Sequence, residues 1–128
     1  MKTAQFEIGT GLHLVSGVVV FCGRDIAVNI GGGDTPHVGA AAVASPRQSL
    51  KKDGSISASA SVLCVMGHKD DMLARKAALR FASELDTNVV VSVGLHIDDA
   101  DENDFLTIQG NFDDLLDMIS EGLKREKR

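Results

Sequence analysis

In SISASASVLCV, residues 55 to 65, serine occupies every second position from 55 to 61 and the residues between are apolar. A strand points successive side chains to opposite faces, so this stretch puts Ile56, Ala58, Ala60, Val62 and Cys64 on one side and Ser55, Ser57, Ser59 and Ser61 on the other. NVVVSVGLH (88 to 96) repeats the pattern, with Val89, Val91, Val93 and Leu95 opposed to Ser92, Gly94 and His96. HVGAAAVA (37 to 44) adds His37, Gly39 and Ala41 to the small side. Such a chain builds a sheet with an apolar floor that must be covered and a second face made of very small residues.

Two segments have the spacing to cover the floor. In KDDMLARKAALRFASEL (69 to 85), Ala74, Ala77, Ala78, Phe81 and Leu85 form one helical stripe, with Asp70 and Asp71 in the first turn where the dipole favours them. Towards the C-terminus Asn111 reads as an N-cap, followed by the stripe Phe112, Leu115, Leu116, Ile119 and Leu123, and DENDFLTIQ ahead of it reads as a short extra turn. HLVSGVVVF (13 to 21) and DIAVNI (25 to 30) flank the turn residues of a hairpin. The expected fold class is α+β: a mainly antiparallel sheet of five to six strands in a single domain over residues 1 to 128, with two main helices packed on one face.

The net charge of −5 argues against a nucleic-acid partner, which would need a concentrated basic face. The closing KREKR complements the dipole of a last helical turn. Cys22 and Cys64 lack CxxC spacing, which points to a reducing compartment; Cys64 falls on the apolar floor and reads as inert core, Cys22 as exposed in the hairpin turn. MKTAQFEIGTG lacks the apolar core of a signal peptide and no stretch has the length of a membrane span, so the expected location is cytoplasmic.

Serine and glycine leave little to bury, so three strands presenting them together suggest that a ligand or a partner subunit occupies the space above. Its candidate grips lie at the glycine corners. GGGDTPHVG offers Gly31, Gly32 and Gly33 as a backbone nest for an anion, and then His37; GHKDD offers Gly67, His68 and Lys69 where a strand turns into a helix. Ser45-Pro46-Arg47 reads as a strand-ending corner that brings the Arg47 guanidinium near the glycine turn if the two strands pair. His96, Ser57, Ser59 and Ser61 complete the set.

Other chemistries find less support. GTGLHL lacks the third glycine of a dinucleotide fingerprint, and the GGG stretch lacks the Lys-Ser/Thr pair of a P-loop. His13, His37, His68 and His96 have no i, i+4 or CxxC-type spacing, so a zinc or iron site is the lesser reading and no metal ligand is assigned. Without a GxSxG elbow, the serines and HIDD do not define a nucleophile, and no catalytic residue is assigned.

Taken together, GTGLHLVSGVVV, IGGGDTPHVGAAAVASPRQSL, SASASVLCVMGHKDD and VSVGLHID resemble the LpdD-like prenylated flavin chaperones, small accessory proteins found with gallate-type, UbiD-like decarboxylases. The resemblance covers residues 9 to 98. It implies a non-catalytic, usually dimeric carrier on a proteasome-assembly-chaperone-like fold, which binds reduced prenylated FMN and hands it to a UbiD-like decarboxylase. The alternatives are an accessory subunit or assembly factor for that decarboxylase, or a small metal-dependent enzyme. Under the carrier reading the glycine turn, Gly67 to Lys69 and Arg47 would hold the phosphate, and His37 and His96 would bond the ring or ribityl chain.

Overall fold

The computed structural model describes residues 1 to 65 and 70 to 126. Six strands form one sheet: β1 (Thr3–Ile8), β2 (Val15–Cys22), β3 (Asp25–Gly33), β4 (Ala40–Gln48), β5 (Ile56–Cys64) and β6 (Val89–His96). Two helices, α1 (Asp71–Leu85) and α2 (Glu102–Glu126), complete the fold, with a single 3-10 turn at Gly11–His13. The strand order is β1-β2-β3-β6-β4-β5, and only the β3–β6 pair is parallel. This is the expected α+β architecture.

The register confirms the apolar floor. β4 begins at Ala40, so His37 and Gly39 precede the strand, and the opposite face mixes small residues with exposed Val43, Val90 and Leu63. Val89, Val91 and Val93 pair with Ala44, Ala42 and Ala40, which pair in turn with Ala60, Val62 and Cys64. This floor meets the stripe of α1, whose Ala74, Ala77, Ala78, Phe81 and Leu85 are all buried. The alanines of β4 sit under the alanines of α1, and small residues on both sides let helix and strand approach closely. Over β1 and β2 the larger stripe of α2 does the covering, with Phe112, Leu115, Leu116 and Ile119 fully buried.

Five expectations are corrected. TAQFEI forms β1, a strand the sequence reading passed over although Ala4, Phe6 and Ile8 alternate with Thr3, Gln5 and Glu7. His13 belongs to the 3-10 turn rather than to a strand. Pro46 does not end β4; beyond Ala44 the strand has only β5 beside it, so a proline there interrupts no bond to β6. Cys64 is exposed rather than core, because β5 is the sheet edge and the thiol lies at its end. Desolvation, with Asp71 and Asp70 nearby, pushes that thiol's pKa up, which disfavours the thiolate.

The fifth correction concerns α2, one continuous helix from Glu102 in which Asn111 is an interior residue. The true start is a reciprocal cap: Asp101 Oδ1 accepts from the Asp104 amide at 2.7 Å, and Asp104 Oδ2 accepts from the Asp101 amide at 3.2 Å. Asn111 instead donates through Nδ2 to the His13 carbonyl at 2.8 Å, and His13 Nε2 donates to Asp104 Oδ1 at 2.8 Å. Helix and 3-10 turn are thereby stitched together by side chains. A second set joins the helices: Arg80 on α1 reaches Asp117 at 2.6 Å, and the buried Ser120 hydroxyl donates to Glu84 at 2.6 Å. Burial alone would raise the Glu84 pKa, but Ser120 and Arg80 hold it below the ordinary value.

The bond from His13, followed by the Asp101 amide, holds the Asp104 carboxyl below its ordinary value of 3.8. A group depressed in this way stabilises the fold at pH values above its unfolded pKa, and the contribution fades as pH falls through the folded one. Asp104→Asn is therefore expected to lower the Tm at pH 7, and the gap to the parent is expected to close on acidification below pH 3.8. Melts followed by circular dichroism across that range check it.

Candidate functional site at one end of the sheet

The C-terminal ends of the parallel pair β3 and β6 converge with the start of β4, and there the chain places Gly31, Gly32, Gly33, His37 and His96 together. Gly33 pairs with His96, and the amides of Asp34 and Gly39 donate to the carbonyls of His96 and Val93, both at 2.9 Å. The segment from 34 to 39 is thus pinned across the strand ends. Gly33 has φ +83°, a backbone conformation closed to most side chains, and a Cβ on Gly94 would collide with the His37 carbonyl. Part of the room expected for a guest is filled by the protein itself: Pro36 packs on Gly31, and the His37 backbone lies over Gly94.

The imidazoles of His37 and His96 meet edge to face, with ring centroids 6.2 Å apart. His37 Nδ1 donates to the Thr35 carbonyl at 3.1 Å, and Nε2 lies 3.4 Å from Asp70 Oδ2. Asp70 joins the site, where dipole chemistry at the helix start accounts for its position but not for its contacts. It stands at the N-terminus of α1 but makes no side-chain cap; it is buried, and its Oδ1 accepts from the Leu95 amide at 3.3 Å. A Cβ on Gly39 would run into this carboxylate, so the glycine there makes room for Asp70.

His96 Nε2 donates to Asp98 Oδ1 at 2.8 Å, and the Asp98 amide donates to Asp34 Oδ2 at 2.9 Å. Among the described residues, Asp34, His96 and Asp98 form the one group whose ligand atoms lie within 4.8 Å of one another, and all three are exposed. Their bonds to each other account for the arrangement.

Beside this cluster, between the first turns of α1 and α2, lies a cleft of about 420 Å³. Asp70, His96 and Gln109 supply its polar edge; Leu73, Leu95 and Phe105 are among its apolar walls. Phe105 extends the stripe of α2 towards the N-terminus but remains 55% exposed. Phe81 and Phe112 are spent in the core, whereas Phe105 is not. Its position three residues before Ile108 was the available signal, hidden by starting the helix at Asn111.

The remaining sequence candidates lie elsewhere. β3 and β4 do not pair, because β6 runs between them, and β4 carries Arg47 away from the glycine turn. From Ala40 to Arg47 is seven residues of strand, about 23 Å at roughly 3.3 Å per residue. There Arg47 Nε donates to Ser59 Oγ at 3.1 Å, and Ser57 pairs with Arg47 across the strands. Ser59 and Ser61 are exposed on the open face, away from the histidines. Gly67, His68 and Lys69 lie outside the described residues; flanking them, the Val65 amide bonds Gly39, and Asp70 bonds β6.

A family model described as the prenylated flavin chaperone LpdD-like domain matches residues 9 to 124, which takes in the glycine turn, α1, all but the last two residues of α2 and the described walls of the cleft. The chain belongs to this family. A solved structure described as a novel chaperone complex for yeast 20S proteasome assembly superposes on the LpdD-like chain with a TM-score of 0.60, at 16% identity over 98% of this chain and 96% of that one. At that identity the likeness shows the fold, and it is the expected proteasome-assembly-chaperone fold. No curated protein matches the LpdD-like sequence. No helix among its described residues is long and apolar enough to cross a membrane.

Proposed function

We propose that this chain is a cytoplasmic carrier that binds reduced prenylated FMN and hands it to a UbiD-like, gallate-type decarboxylase, with no turnover of its own. The observation that carries this reading is the family match over residues 9 to 124. The sheet end supports it: Gly31 to Gly33, His37 and His96 converge beside an apolar cleft whose volume falls in the range of small-molecule sites. His37 and His96 would bond the polar edge of the ring or the ribityl chain. Gly67, His68 and Lys69, directly before the Asp70 that edges the cleft, are the proposed grip on the phosphate. Arg47, about 23 Å along β4, lies too far for the same ligand and drops out of this site, while Ser57, Ser59 and Ser61 sit on the open face of the sheet.

Those residues belong instead to a face with its own chemistry. Across the middle of the open face run Val18, Asn29, Ser92, Ala41 and Leu63 in one row and Val20, Ala27, Val90, Val43 and Ser61 in the next, none of them charged. Leu63 is 80% exposed and Val43 56%. Solvated sheet faces usually carry longer polar side chains, and a flat neutral surface can meet its own copy about a twofold axis without charge conflict. We assign this face to a homodimer.

One preparation tests both parts. Reduced prenylated FMN is mixed anaerobically with the chain and passed through gel filtration with in-line light scattering. The chain has no Tyr or Trp, so bound cofactor is read against a nearly transparent protein. The expected result is co-eluting cofactor at twice 13.5 kDa, and activation of a cofactor-free UbiD-like decarboxylase by the eluted complex. Cofactor left behind on the column overturns the carrier; elution at 13.5 kDa overturns the dimer.

A further inference from the structure

We propose that the cleft between the first turns of α1 and α2 is where the flat, apolar part of the cargo lies, with Phe105 and Met72 as its two covering side chains. This rests on the carrier reading and locates its ligand on the helix side of the sheet end, away from the serine face. The walls supply what a large planar apolar group requires: Leu73 of α1, Leu95 and Ile97 at and just past the end of β6, and Ile108 of α2. Leu73 and Leu95 are only partly buried, although both pack against the core. At the rim, Phe105 is 55% exposed and Met72 69%. An aromatic face and a polarizable thioether suit a conjugated ring, by stacking and by sulfur–ring contact respectively.

The donor set distinguishes the two halves of the cargo. Asp70, His96 and Gln109 are the polar groups among the described lining residues, and none is a lysine or arginine. A phosphate placed there would face the buried Asp70 carboxylate, so the cleft fits the ring and not the charged tail. Asp70 is also tied to Leu95 and His37, which fixes the wall and couples the cleft to the glycine-turn segment. At the start of the 25-residue α2, Phe105 stays exposed while Ile108, nearly one turn on, is buried, so the stripe enters the core only past the cleft.

The experiment compares retention of reduced prenylated FMN through anaerobic gel filtration by the parent, Phe105→Glu, Met72→Glu, Phe105→Leu and Lys51→Glu, an exposed position in the turn between β4 and β5, with a circular dichroism melt of each. The exposed positions are expected to accept substitution without loss of fold. A carboxylate in the cleft is expected to weaken retention by about tenfold or more, Phe105→Leu to retain most of it, and Lys51→Glu to leave it unchanged. Parent-like retention by Phe105→Glu and Met72→Glu, or loss in Lys51→Glu alone, overturns the assignment while leaving the carrier intact. Failure of the parent itself to retain cofactor overturns the carrier reading, and this inference with it.

Discussion

Gly94→Ala is expected to dismantle the sheet end while leaving the rest of the chain folded. The new methyl group would occupy the place of the His37 carbonyl, and a backbone carbonyl held by neighbouring ladder bonds cannot rotate aside as a side-chain tip can. Relief requires the segment from 34 to 39 to lift, which breaks the bonds from the Asp34 and Gly39 amides to His96 and Val93 and separates His37 from Asp70. The cost is expected at the upper end of the roughly 1–3 kcal/mol usual for overpacking. Hydrogen exchange gives the local readout: the Asp34 and Gly39 amides lose protection, while the amides of β2 keep theirs. Cofactor retention falls with them, because His37 and the Asp70 wall move together. A variant with parent-like melting and protected amides at 34 and 39 would contradict the close approach on which the site geometry depends.

Phe112→Ala is expected to cost about 3–5 kcal/mol, the usual loss for emptying a buried aromatic position. That is a large share of the roughly 5–15 kcal/mol by which domains of this size are stable. Phe112 has no exposed surface and sits in the α2 stripe between Ile108 and Leu115 and Leu116, on the helix that covers β1 and β2. Denaturant titration measures it as a lowered midpoint. Phe105→Ala serves as the internal contrast. The same substitution on the same helix, seven residues earlier, removes a side chain that is half exposed, and its expected effect lies within about 0.5 kcal/mol. Equal losses at the two positions would mean that the cleft is closed in solution.

The two helical stripes and the period-two strands were legible because burial on one side repeats at intervals that a short window contains. β1 carries the same signal, Ala4, Phe6 and Ile8 alternating with Thr3, Gln5 and Glu7. The start of α2 was harder. Asn111 is a good cap by residue type, but the Asp101–Asp104 pair caps reciprocally, and Asn111 is engaged by His13, a partner 98 positions away. Local chemistry offered two starts, and the 3-10 turn chose between them. For the site, residue type pointed to Gly31 to Gly33, His37 and His96, which the fold does bring together. It also pointed to Arg47, which fails because two strands that look consecutive have β6 between them.

By itself, then, the amino-acid order determined which residues alternate and which wind, and hence an apolar floor, two helices to cover it and a face of small residues behind. These are consequences of periodicity, a property of neighbours along the chain. Tertiary structure decided where β6 enters the sheet, which histidines meet, that Asp70 turns inward to the Leu95 amide, and that Phe105 at the start of α2 stays exposed beside a cleft. Each of these depends on contacts between residues far apart in sequence, and such pairings are set by the packing of the whole core.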